Sequence, residues 1–353
     1  MANQTGDRGF NNIHSSAVAK RQQNRALQKY TMLGVIALAA LAVLMLMVLA
    51  VGGIISNIRG EIGRGPDNEK VEWGSFTVTA ADTLHGDLVL VNNAHVYTFP
   101  QSEDHLSEIW GKWNSHNPRI YKQSGVSKYM DTDALNAMDA MLVDFSAATG
   151  KTNVQVRYAY RDYKTQEQFE IAAGYSDHHT GLGVQLKYEM NENAYAFSTD
   201  PNGTYNWIFE NCHKYGFVIR YPEGKEDITE VSDYSDYFRY VGIAHATYMA
   251  EHGLCMEEYI EVLKGYTHDK PLKINGADGR SYEVYYVAVD GSATVKHPTN
   301  YAYSVSGTNE GGVVITVNRS KALTSEETTA SDTATPQTTV PADSDTSAES
   351  AVG

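Results

Sequence analysis

From Thr31 to Ile55 the chain reads TMLGVIALAALAVLMLMVLAVGGII, 25 positions without a charged residue. At the helical rise that is about 37 Å, more than the ~30 Å core of a bilayer requires. Residues 31–56 are therefore expected to form a transmembrane helix, and the rest of the chain must fold around that constraint. Arg8, Lys20, Arg21, Arg25 and Lys29 precede the run with Asp7 as the single acid, whereas Arg59, Glu61, Arg64, Asp67, Glu69, Lys70 and Glu72 follow it with mixed sign. The positive-inside rule puts residues 1–30, a basic segment, in the cytoplasm and the main domain outside the cell, giving a single-pass protein of the cell membrane. A cleaved signal peptide would carry a core of only about 7–15 apolar residues, so an uncleaved anchor fits better.

The 353 residues are 42% apolar and 20% charged, enough for one sizeable globular domain with accessories. A net charge of −15, spread along the chain, excludes nucleic acid as a partner, because neutralising phosphates needs clustered Lys and Arg. Cys212 and Cys255 form no C-x-x-C pair, so a cysteine zinc framework is excluded. Outside the cytoplasm they could form a disulfide, but a helical Cys is also often a small buried apolar residue.

Residues 57–75 mix Gly, Pro, Asn and alternating charge without apolar periodicity and read as a linker. DLVLVNN (87–93) has the pattern of a buried strand. Leu135, Met138, Leu142 and Phe145 recur at helical spacing between Asp131 and Gly150. NVQVRYAY (153–160) predicts a strand and KTQEQFEIAA (164–173) a helix. LGVQLKYEM, FVIRYP and DYFRYVG read as further strands, YNWIFENCHKYG as a helix ending at Gly216, and helices are expected at 243–252 and 256–264. Strands and helices without strict βαβ repetition indicate an α+β domain over residues 76–270. YEVYYVAV and SATV flank Asp290-Gly291 and predict a hairpin. With NYAYSVSG and GGVVITVN it makes a small β appendage at 271–319. Residues 320–353, rich in Ser and Thr, acidic and lacking aromatics, are expected to form a disordered tail.

GYSDHHTGL (174–182) resembles a motif of the VanY-type D-alanyl-D-alanine carboxypeptidases, zinc enzymes that remove the terminal D-alanine of peptidoglycan stem peptides. The resemblance extends over about residues 76–265, through LVLVN (88–92), YAYRDYKTQ (158–166), ENCHKYGFVIRYPEGKEDIT (210–229) and FRYVG (238–242). In that family Asp and two His hold zinc, which lowers the pKa of its bound water, and a Glu moves the water's proton. Against the motif S-x-H-x-x-G-x-A-x-D, Ser176, His178 and Gly181 match, Gly183 stands for the alanine and Gln185 for the aspartate. Against E-P-W-H, the chain has Tyr234, Ser235, Asp236 and Tyr237. The resemblance thus implies His178 as the one retained metal ligand, Gln185 and Tyr237 at the replaced ligand positions, and Tyr234 at the position of the catalytic glutamate.

A neutral amide and a phenol with an unperturbed pKa near 10 are poor zinc ligands, so no cofactor is expected. Asp177 and His179 flank His178, but neighbours on an extended segment would face opposite sides. A register slip that brought a carboxylate into the site would turn a buried strand face outward. Arg161 aligns with an arginine that holds the peptide carboxylate in the family, and its donor fork suits that task; Ser176 would assist. The combination implies a membrane-anchored bacterial VanY-like protein without intact catalytic residues, a pseudoenzyme. It would bind peptidoglycan stem peptides or regulate cell-wall enzymes. The alternative is an active D,D-carboxypeptidase using an altered zinc site.

Overall fold

The computed structural model describes residues 70–322 except 116–118, 125–126 and 233. The basic segment 1–30, the apolar run 31–56, linker residues 57–69 and tail residues 323–353 lie outside the described residues. Among the described residues no helix is long and apolar enough to cross a membrane.

In chain order the strands are β1 (Trp73–Thr79), β2 (Leu106–Glu108), β3 (Lys122–Gln123), β4 (Tyr129–Asp131), β5 (Val154–Tyr158), β6 (Gly183–Met190), β7 (Asn193–Tyr195), β8 (Phe217–Ile219) and β9 (Tyr237–Tyr240). They are followed by β10 (Leu272–Asn275), β11 (Ser281–Ala288), β12 (Ser292–Pro298), β13 (Tyr301–Gly307) and β14 (Gly312–Ala322). The central sheet has the order β3-β5-β6-β9-β8, with β7 beside β6; the β5–β6, β6–β9 and β8–β9 pairs are antiparallel. Against one face lies the helix Thr132–Thr149, whose Leu135, Met138, Met141, Leu142 and Phe145 pack on Val154, Val156, Val184, Leu186 and Phe238. The helix starts where Asp131 accepts from the amides of Asp133 and Ala134, and it stops at Gly150, whose φ of 71° is cheap only for glycine. Side chains alternate along a strand, so with Val184 and Leu186 facing this core, Gly183 and Gln185 face the opposite side. That opposite side holds the candidate site.

Four elements depart from the sequence pattern. Leu88–Val91 are buried as expected but join no ladder. Val89 N–H donates to Gly86 O and Leu90 N–H to Thr308 O, and side chains meet the other backbone groups. Leu88 N–H donates to Ser306 Oγ (2.8 Å), Asn309 Nδ2 donates to Leu90 O (2.9 Å), and Arg239 Nη2 donates to Asp87 O (3.0 Å) and Val89 O (3.2 Å). The expected helix at 164–173 is only Tyr163–Gln166, because the Gln166 side chain turns back to Ile171 O (2.8 Å) and the chain then folds Phe169 onto Arg161. The Asp290-Gly291 turn forms, but β11 and β12 do not pair. β11 lies between β10 and β14, and β12 crosses to pair with β1, from Trp73↔Pro298 to Thr79↔Ser292. The appendage therefore recruits the start of the folded chain, and β1 begins inside the stretch read as linker. Val78 of β1 packs there with Tyr285, Val295, Tyr301 and Ile315. At the other end, β14 runs two residues past Ser320, into the stretch read as tail.

A third cluster joins the appendage to the domain. The helices Ile243–His252 and Met256–Leu263 bury Met249, Tyr259 and Ile260 against Leu88, Leu90, Val218, Val284 and Val314. His245 sits in this seam with both nitrogens engaged, Nδ1 with Tyr259 Oη (2.7 Å) and Nε2 with Thr316 Oγ1 (2.9 Å). Cys212 and Cys255 are both buried free thiols.

Candidate ligand site

The site is built where β5, β6 and β9 meet the turn that follows Ser176. In the β6–β9 ladder Gln185 lies directly opposite Tyr237, and Gln185 also pairs with Tyr158 of β5. The register therefore brings together the two positions at which the motif expects an aspartate and a histidine. Asp177–Thr180 form a 3-10 turn closed by Gly181 rather than an extended segment. The opposite-face argument for Asp177 and His179 fails for that reason, although the two residues still diverge. Asp177 turns toward β9 and His179 toward the Arg161 backbone.

Every polar atom of the His178 ring is engaged. Nδ1 is 2.7 Å from Ala159 O, which fixes the proton there, so Nε2 accepts from Tyr234 Oη at 3.2 Å. Burial, with the Arg161 cation nearby, holds His178 well below the usual histidine range, and the ring is neutral. The Tyr237 hydroxyl donates to Asp177 Oδ2 (3.0 Å), and Arg239 Nη1 binds Asp177 Oδ1. Burial and then the Asp177 carboxylate push the Tyr237 phenol well above its ordinary pKa. Its ring stacks on Tyr234 at 5.3 Å and Tyr221 at 5.7 Å and meets the edge of His178 at 4.6 Å. Burial also raises Tyr234, although Arg161 opposes the shift.

A zinc ion does not fit this donor set. His178 Nε2 faces a phenol proton, Tyr237 is a neutral phenol committed to Asp177, and Gln185 supplies no charge. Of the nearby carboxylates, Asp177 is held by Arg239 and Asp236 Oδ2 by Lys187, while Asp236 Oδ1 is buried without a partner. Among the described residues no group of three or more His, Cys, Asp or Glu is placed to hold a metal ion.

The other side of the site is different. Arg161 is only 6% exposed, and its guanidinium lies 3.7 Å from the Phe169 ring centroid and 4.7 Å from that of Tyr158. Nη1 donates to Gln166 Oε1 (3.2 Å), and the Tyr234 phenol lies close enough to bear on the guanidinium. Nε, though buried, has no partner. Burial lowers the pKa of this cation, the phenols Tyr234, Tyr237 and Tyr158 oppose the shift, and His178 and His179 lie close enough to feel its charge. Ser176 Oγ is likewise buried without a partner. A buried cation and a buried hydroxyl that each keep an unpaired donor suit an anion.

Sequence patterns did not reveal what lies beneath. Arg220 and Arg239, both with no exposed surface, are clamped by Asp177 and Glu257; Arg220 binds both Glu257 oxygens, at 2.7 and 3.0 Å. This network ties the turn after Ser176 to β9, the segment after β8 and the helix Met256–Leu263. Its one sequence signal is an arginine inside each of the apolar strands FVIRYP and FRYVG. Phe169 and Gln166, which hold Arg161, gave no signal beyond their proximity to it.

The chain is similar to known proteins. The family described as VanY, D-alanyl-D-alanine carboxypeptidase, matches residues 168–243, the span that contains both motif stretches. A D-alanyl-D-alanine carboxypeptidase of Enterococcus faecium is 29% identical over 251 residues, covering 68% of this chain and 78% of that protein. Another, of Enterococcus faecalis (strain ATCC 700802 / V583), is 35% identical over 127 residues, 36% of this chain and 42% of that one. The solved structure of the vancomycin-resistance D,D-dipeptidase VanXYg, in complex with a D-Ala-D-Ala phosphinate analog, superposes with a TM-score of 0.60 at 25% identity, over 70% of this chain and all (100%) of that one. Residues 168–243 of this chain thus match the family described as VanY, D-alanyl-D-alanine carboxypeptidase, and the folded part is similar to such enzymes over most of its length.

Proposed function

We propose that the domain binds the carboxy-terminus of peptidoglycan stem peptides without cleaving it, as a membrane-anchored pseudoenzyme on the outer face of the cell membrane. Residues 31–56 are its anchor and residues 1–30 its cytoplasmic end. In this role it presents or shields stem peptides for other wall enzymes. The observation that carries the reading is that two buried donors, Arg161 Nε and Ser176 Oγ, have no hydrogen-bond partner.

The chemistry follows from those groups. A peptide carboxylate entering the site takes the free Arg161 donor and the Ser176 hydroxyl, and the Phe169 and Tyr158 rings exclude water and hold the guanidinium in place. Hydrolysis would need an activated water and a group to take its proton. The position of the family's glutamate holds Tyr234, whose hydroxyl already lies on His178, and its raised pKa makes it a poor base at neutral pH.

The test is calorimetric titration of a synthetic stem pentapeptide ending in D-Ala-D-Ala into the purified full chain, with D-alanine release followed in the same samples. Arg161→Ala is expected to weaken binding by about 10- to 100-fold, the size of a hydrogen bond to a charged group. Arg161→Lys, which keeps the charge and loses the fork, is expected to fall between. Equal affinity in wild type and Arg161→Ala would defeat the proposal, and turnover of the peptide by wild type would favour the altered-site enzyme.

A further inference from the structure

We infer that Gly183 and Tyr237 are one coupled unit, in which a phenol takes over the structural place of a metal and requires a glycine on the neighbouring strand. The inference rests on space. A Cβ added at Gly183 would stand 1.8 Å from Tyr237 Oη, 2.4 Å from Cζ and 3.0 Å from Cε1. Gly183 is not among the residues with positive φ, so its backbone does not itself call for glycine. The requirement comes from the tyrosine ring lying across it.

That ring has nowhere to go. Tyr237 has no exposed surface and packs in a three-ring cluster with Tyr234 and Tyr221, with the His178 edge against it. Its hydroxyl is held 3.0 Å from Asp177 Oδ2, while Arg239 holds the other oxygen of the same carboxylate. The phenol thereby links β9 to the turn that carries His178, two pieces that a shared metal would otherwise join. Against the motif, alanine-to-glycine at 183 and histidine-to-tyrosine at 237 read as two changes. The geometry makes them one, since alanine at 183 is incompatible with tyrosine at 237. Glycine at 183 is thus the mark of the tyrosine. The unit stands whether or not any peptide binds at Arg161.

The test is thermal unfolding of the full, tag-free chain as wild type, Gly183→Ala, Tyr237→His and Gly183→Ala/Tyr237→His, each with zinc and with a chelator. Gly183→Ala alone is expected to lower the midpoint by about 4–10 °C, the effect of overpacking a buried site. The double variant is expected to unfold at a higher temperature than Gly183→Ala, and the wild-type midpoint to be the same with zinc or chelator. Should Gly183→Ala give no folded protein, recovery of folded protein in the double variant reads the same coupling. A Gly183→Ala midpoint equal to wild type, or a double variant no better than Gly183→Ala, would overturn the inference. A wild type that zinc stabilises and the chelator destabilises would do the same.

Discussion

The two halves of the site have taken opposite courses. On the side where the family motif places its metal, most polar atoms are spent, His178 on Ala159 and Tyr234, Tyr237 on Asp177, and Asp177 on Arg239, although Asp236 Oδ1 is buried without a partner. On the side of Arg161 and Ser176, two buried donors wait without partners. Burial is common to both halves, so burial alone does not mark a binding site. What separates them is whether the donors are already satisfied, because an engaged buried group stabilises the fold and an unpaired one costs free energy until something binds it.

That difference can be broken or sharpened by substitution, and the spent half should respond most in stability. Asp177→Ala leaves Arg239 and Arg220 short of a partner and is expected to cost about 3–5 kcal/mol in urea denaturation, the cost of breaking a buried ion pair. Tyr237→Phe removes one hydrogen bond to a charged group and is expected to cost about 1.5–3 kcal/mol in the same measurement. A neutral result for either would mean that the filled half does not hold the fold together.

A pH series gives the next effect. His245, away from the site and with both nitrogens engaged, is pushed down to about 4 by burial. Its folded value lies below the unfolded value near 6.5, so the unfolded chain binds the proton first and stability falls as the pH drops from about 6.5 toward 4. At pH 5.5 the loss is roughly 1 kcal/mol, and His245→Gln is expected to flatten that part of the curve. The smallest stability change belongs to the waiting half. Arg161→Ala gives up two ring contacts but also removes a buried cation without a counter-ion, so its stability is expected to stay within about 1 kcal/mol of wild type while peptide binding drops. A large loss of stability there would make Arg161 a structural residue and erase the contrast.

Local signals carried much of the fold. Asp131, Gly150 and the apolar spacing between them marked the helix Thr132–Thr149, because caps and periodicity act within a few residues. The β11–β12 hairpin was misread because the partner of β12 is β1, more than two hundred residues earlier, and a turn signal cannot report a competing strand so far away. Leu88–Val91 were correctly read as buried but not in structure, since arginine and asparagine side chains replace their ladder. In the site, the substitutions at 185, 234 and 237 were visible against the family motif. The clash that couples Gly183 to Tyr237 was not, because it depends on how a ring leans across two paired strands. The unpaired state of Arg161 Nε was equally hidden, since only placement shows that no carboxylate meets it.

The central claim is that the waiting half binds a peptide carboxylate without help from a metal. It is tested most directly by titrating the D-Ala-D-Ala-ended pentapeptide into the tag-free full chain in excess chelator and again in zinc. The account predicts saturable binding of the same affinity in both, with the peptide recovered intact. Binding that vanishes in chelator and returns with zinc, accompanied by release of D-alanine, would contradict it.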